Sequence, residues 1–425
     1  ALIDALGKRE ALRWKAESLP PELRRLDLEA QANERAARRG YDAAVKRGKR
    51  KEIRAAAQAL DDATEAVREV AGRIQRELKQ QARLFYPRAE TIDTIESALE
   101  EDQALVLYGL CLDEAVALVL RHDGERIVSL AKAADITAAC ETFDATDLDV
   151  DPTAALGALR KLLVDRLELR VDTKRVLVSP EGPLCYLPFG ALFTQPVAMT
   201  PSGTTHVLLL NEERAEGEGI LALGDPDYKG ASKGAQAIYY RGGTLSPLPG
   251  TRKEAEAIGT TTLLGAKASE AGLYKALPTA ERWRAVHFGC HGLVNVEQPM
   301  LSSLALAREG DHDGFLTALE VLRTKIPADL AVLSACETAR GKIVKGEGIV
   351  GLTRAFMFAG TPRVICSLWK VDDEATQALM VKFYELWKTQ PTAIALKNAQ
   401  AFVRGHEKWK HPYYWAAWQL WGLGD

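Results

Sequence analysis

A chain of 425 residues is longer than one hydrophobic core usually supports, so two or three domains are expected. With 47% hydrophobic and 27% charged residues, the composition is that of a folded protein rather than a disordered one, and a net charge of −3 makes no general case for nucleic acid. Residues 1–90 carry about six excess positive charges and the remainder about nine excess negative ones, a mild asymmetry of the kind a solvated helical surface shows.

Residues 1–90 are rich in Ala, Arg, Glu and Lys and poor in β-branched residues. From Ile53, small or apolar residues recur at alternating steps of four and three, through Ala57, Leu60, Thr64, Val67, Ala71, Ile74 and Leu78. This predicts a long helix with one narrow seam. The alanines on the seam favour close approach, so a helical hairpin, bundle or coiled-coil region is expected; no period of 34 residues marks a tetratricopeptide array.

Beyond Pro87 the pattern changes: residues 104–110, 114–120, 126–130 and 175–180 read as strands and 152–168 as a helix. Another strand, 220–224, ends in Asp225-Pro226, and residues 228–247 have the composition of a loop. Thr251 is then expected to cap a helix, with Glu254 at the capping-box position. Strands at 261–264, 285–289, 302–307, 329–335 and 363–369 alternate with helices at 269–277, 316–323, 347–359, 373–388 and 392–405. That alternation predicts an α/β fold with a mainly parallel sheet and helices on its faces.

Two of these strands end on reactive side chains. Val286-His287-Phe288-Gly289-Cys290-His291-Gly292 and Ala331-Val332-Leu333-Ser334-Ala335-Cys336-Glu337-Thr338 are apolar runs that stop on His291 and Cys336. Open α/β sheets present their functional groups at such carboxyl ends. Proton transfer from the Cys336 thiol to His291 would give a thiolate and imidazolium pair. Backbone N–H groups of Gly292 and Cys336 could then hold the oxyanion formed by attack on a carbonyl. A buried Cys and a satisfied turn His are the competing explanation for either motif taken alone.

Cys290 competes as nucleophile but is expected to be buried, because successive strand side chains face opposite ways. His287-x-x-x-His291 lacks the helix and the Glu of a zinc-peptidase motif, so no metal is expected. Gly346-Glu347-Gly348-Ile349-Val350-Gly351 matches a dinucleotide fingerprint in letters but does not follow a strand directly, so no cofactor is expected either. Asp372 and Asp373 begin the helix after strand 363–369. One or both could line a pocket for a basic substrate side chain, or simply cap the helix.

The segments 287–292, 332–338, 346–356, 367–376, 248–255 and 411–417 resemble those of the CHAT family of caspase-like and separase-like peptidases, in order, over about residues 95–425. The resemblance implies clan CD chemistry, with the family's His on His291 and its Cys on Cys336. It also implies an inactive caspase-like half before the active one, dividing the chain into a helical region 1–90, a pseudo-caspase-like domain 91–240 and a peptidase domain 241–425. In separases a related run ends in an acid that helps to bind a basic P1 residue, and that acid falls on Asp373. Family members usually carry Thr or Ala where Cys290 stands, and often Gly where Ala339 stands.

The function expected is a cysteine endopeptidase cutting specific partner proteins, such as one encoded nearby, in a prokaryotic signalling or defence circuit. The N-terminal helices would receive a regulatory or sensor protein. The alternative is a catalytically silent caspase-like scaffold that binds partners through those helices. Six cysteines without CxxC spacing (Cys111, Cys140, Cys185, Cys290, Cys336, Cys366) suggest a reducing interior, and no signal-like segment or long apolar run opens the chain, so a cytoplasmic, membrane-free location is expected. The first residue is Ala rather than Met, which leaves room for residues upstream.

Overall fold

The computed structural model describes residues 21–85, 89–111, 113–228, 245–295, 299–310, 312–334 and 348–425. Helices of nine or more residues are α1 (Pro21–Arg47), α2 (Arg50–Phe85), α3 (Ala133–Thr142), α4 (Thr153–Leu163), α5 (Gly203–Asn211), α6 (Pro249–Ile258), α7 (Gly348–Phe358), α8 (Asp373–Leu386) and α9 (Thr392–Arg404). The strands are β1 (Gln103–Leu110), β2 (Glu114–Arg121), β3 (Gly124–Lys132), β4 (Arg175–Ser179), β5 (Val197–Met199), β6 (Glu218–Pro226), β7 (Thr261–Gly265) and β8 (Trp283–Gly289). They continue with β9 (His291–Leu293), β10 (Ser303–Ala305), β11 (Phe315–Thr317), β12 (Ala328–Ser334), β13 (Arg363–Ser367) and β14 (Trp418–Gly422).

Eleven strands form one sheet in the order β3-β2-β1-β4-β5-β14-β13-β12-β8-β6-β7, and neighbours are parallel except at β3-β2, β2-β1 and β14-β13. The α/β reading therefore holds. β12 and β13 are apolar on both faces because helices cover both sides, which is how the central strands of a parallel sheet avoid water. β6 precedes residue 240 in sequence but lies between β8 and β7, and β14 closes the middle of the sheet by parting β5 from β13.

Several expectations need correction. β5 and β14 and the helices α3 and α5 carried no strand or helix expectation. The expected strand 302–307 shortens to β10 and joins β9 and β11 in a separate three-stranded sheet. The helix expected at 316–323 starts at Ala318, because Thr317 ends β11 and caps the helix in a capping box with Glu320. The helix expected from Thr251 begins earlier, at Pro249, whose fixed φ suits a first helical position.

α1 and α2 form a hairpin turned at Gly48, with Leu60 and Thr64 buried. Its apolar edge docks on the small sheet's surroundings, where Leu23, Ala30 and Val70 pack with Leu301 and Leu319. Arg38, almost fully buried, pairs with Glu34 and lies 3.6 Å from Asp313, just before β11.

Candidate active site at the strand ends

β8 and β12 are adjacent and parallel, and their register sets Gly289 opposite Ser334. His291 and Cys336 each follow their strand's last residue by two positions. Cys336 itself, its backbone N–H and the rest of residues 335–347, which include Gly346 and Glu347 of the fingerprint-like run, lie outside the described residues.

After Gly289 the chain bends away from the large sheet, and β9 carries His291 into the small one, opposite Ala305. Two glycines make room for this corner. Gly224 on β6 and Gly289 on β8 are register partners, and a Cβ on either would press into Thr251 of α6, 2.5 Å from its carbonyl oxygen or 2.7 Å from its Cβ. Without side chains there, the first turn of α6 and the segment before it sit directly over the strand ends.

That segment supplies the partner of His291. The imidazole is 4% exposed and its Nε2 lies 2.8 Å from the carbonyl oxygen of Ser246. A carbonyl only accepts, so Nε2 carries the proton and Nδ1 is the basic nitrogen. The Tyr228 hydroxyl bridges the corner, accepting the His291 backbone N–H and donating to Ala305 O, both at 3.3 Å, with its ring 5.3 Å from the imidazole. Burial lowers the His291 pKa, the Ser246 carbonyl opposes that by favouring the charged ring, Lys370 lowers it further and Asp373 raises it.

The two acids have different duties. Asp372 is the N-cap of α8, its Oδ1 accepting the N–H groups of Glu374 and Ala375 at 3.1 and 3.0 Å. Asp373 makes no cap and reaches solvent in part. Its carboxyl is raised above the usual range by partial burial first and by Asp372 next, while Lys370 and His291 draw it down. The start of α6 abuts it, a Cβ on Gly250 falling 2.8 Å from the Asp373 Cβ. His291 and Asp373 thus share one electrostatic neighbourhood.

Gly292 follows His291 in β9, opposite Leu304. Cys290 is 2% exposed, in the core. His287 turns away from His291: its Nε2 lies 3.0 Å from Glu254 Oε1 and its Nδ1 3.3 Å from the Tyr384 hydroxyl, all three side chains buried. Glu254 therefore does not serve a capping box; with α6 starting at Pro249 it lies inside the helix and faces β8.

Sequence reasoning missed Asp225, Tyr228 and Ser246. Ser246 acts through its backbone, which no side-chain pattern announces. Asp225 could have been suspected, since Gly224-Asp225-Pro226 interrupts an apolar strand with a residue that tolerates unusual backbone angles.

Among known proteins, the sequence profile of the CHAT domain matches residues 153–423, beginning at α4, so β1–β3 precede the matched region. Tetratricopeptide repeat protein 28 of Homo sapiens is 34% identical over 108 residues, 25% of this chain and 4% of that protein. The Mus musculus protein of the same name is 27% identical over 219 residues, 41% of this chain and 9% of that protein. The matched stretches therefore span under a tenth of the length of either relative. The separase of a Saccharomyces cerevisiae separase–securin complex superposes with a TM-score of 0.47 at 11% identity, covering 88% of this chain and 34% of the other. Among the described residues no helix is long and apolar enough to cross a membrane.

Proposed function

Since this chain belongs to the CHAT domain family, we propose that it is a cysteine endopeptidase that cleaves specific partner proteins through a His291–Cys336 dyad. The observation that carries this reading is the register of β8 and β12, which sets Gly289 beside Ser334, each two residues before a dyad member. The Cys336 thiol gives its proton to His291 Nδ1, and the thiolate adds to the scissile carbonyl. Backbone N–H groups of Gly292 and Cys336 hold the oxyanion. The leaving amine takes the proton from His291, leaving a thioester on Cys336, which a water deprotonated by the same imidazole then hydrolyses.

Under this proposal Asp373 selects Arg or Lys at P1. Asp372 is already engaged as a cap, which leaves Asp373 as the carboxylate available to pair with a substrate cation. The half before residue 240 serves as the inactive counterpart of the half after it. The α1–α2 hairpin receives a regulatory protein in a prokaryotic signalling or defence circuit, and activation is conformational.

Reaction with a peptidyl electrophile ending in Arg tests the reading. Covalent labelling that disappears in both Cys336→Ala and His291→Ala supports it, whereas a chain that never labels leaves the silent scaffold. Cleavage of a peptide library by wild type and Asp373→Ala tests the specificity: a basic P1 preference lost in the variant is expected, and an unchanged profile reduces Asp373 to a helix-terminal acid.

A further inference from the structure

The turn that carries Ser246 is held by one side chain that the dyad chemistry does not use. Asp225 sits at the register shift near the end of β6 with φ at +46°, a left-handed conformation that L residues other than Asn and Asp seldom adopt. Three contacts converge on it. Its N–H donates to Thr251 Oγ1 at 2.9 Å, its Oδ1 accepts the Leu248 N–H at 3.2 Å, and its Oδ2 accepts Arg252 Nε at 3.0 Å. Thr251 Oγ1 in turn donates to Leu248 O at 2.8 Å, closing the turn onto the first residues of α6. Leu248 is two residues from Ser246, whose carbonyl receives the His291 Nε2 proton. Unusual backbone geometry kept by surrounding bonds tends to collect where a functional group must be aimed.

We propose that Asp225 is a positioning residue for the dyad: it ties the Leu248–Arg252 turn to the end of β6 and thereby holds the Ser246 carbonyl on the catalytic imidazole. This rests on the cysteine-peptidase reading above. Asp225 touches no reacting atom. It fixes which nitrogen of His291 bears the proton and gives the imidazolium an acceptor when the thiolate forms. The Leu248 contact carries most of this role, since Arg252 is substantially exposed and an ion pair with it is worth little.

Three substitutions separate the side chain's bonds from the backbone's strain. Asp225→Asn keeps an acceptor for Leu248, Asp225→Ala removes it and keeps the strain, and Asp225→Gly removes it while adopting the left-handed backbone freely. The readout is the rate of alkylation of Cys336 by iodoacetamide across pH, followed by mass spectrometry on the full chain. Iodoacetamide needs no substrate subsite, and the exposed Cys111 serves as an internal reference that should not change.

Expected are losses on the order of 10–100-fold in Asp225→Ala and Asp225→Gly at neutral pH, with the acid limb of the profile moved to higher pH because the imidazolium has lost its acceptor. Asp225→Asn should keep most of the wild-type rate and its acid limb. Wild-type behaviour in Asp225→Gly would overturn the proposal by leaving strain as the residue's only effect. Wild-type rate and profile in both Ala and Gly variants, with His291→Ala inactive, would overturn the proposal and leave the dyad standing. If His291→Ala itself reacts like wild type, the dyad reading falls and this inference with it.

Discussion

The first half of the large sheet and the corner beyond its second half each hold a buried histidine, His206 and His291, and the surroundings of the two differ. His206, in α5 beside the first half, is 3% exposed, and neither ring nitrogen has a hydrogen-bond partner among the described residues; burial pushes it down to about 4. His291 is 4% exposed, but the Ser246 carbonyl opposes the effect of burial and Asp373 adds to that opposition. Removing water from an imidazole disfavours its charged form. A base needs, in addition, something that welcomes the proton it takes.

The largest effect that could break this contrast is chemical. Cys336→Ala or His291→Ala should abolish labelling by a peptidyl electrophile, a loss on the order of 100-fold or more, while His206→Leu and Cys290→Ala label as wild type. Loss of labelling in His206→Leu with the fold intact would erase the distinction between the halves.

Next comes acid stability. His206 has a folded pKa of about 4 against 6.5 when exposed, so the unfolded chain binds the proton first and stability falls as pH drops from 6.5 to 4. The gap is worth ~3 kcal/mol at most. Urea unfolding at several pH values should show a shallower acid decline in His206→Leu than in wild type; parallel slopes would mean that His206 finds water or a partner in solution.

A smaller contrast lies in two glycines. Gly289→Ala forces a Cβ against Thr251 and should cost ~1–3 kcal/mol. Gly157→Ala in α4 meets nothing within 4 Å and should stabilise by about 0.5–1 kcal/mol, as expected for a helix interior. Thermal midpoints moving in opposite directions are expected, and equal shifts would count against the close seating of α6.

Much of this arrangement was legible in the sequence. Uninterrupted apolar runs gave β8 and β12, because strands buried on both faces need no alternation, and the Ile53–Leu78 seam gave the long helix α2. β5 is three residues long, too short for any periodicity, and β14 follows a stretch of aromatic residues and short turns that masks its start. The Thr251–Glu254 pair imitated a capping box, but Pro249 moved the helix start upstream and left Glu254 facing His287. Of the site, His291 was readable as a strand-end side chain. Its orientation was not, because a main-chain carbonyl more than 40 residues earlier sets it.

The place of β14 has a consequence for how the molecule is made. Residues 418–422 occupy the centre of the sheet, between β5 and β13. During ribosomal synthesis the other ten strands described in this sheet emerge before them. Until they arrive, β5 and β13 each present a bare hydrogen-bonding edge, the kind of surface that recruits other chains. These eleven strands become continuous only when β14 is inserted, so a ribosome that stalls anywhere in α9 leaves two unjoined half-sheets.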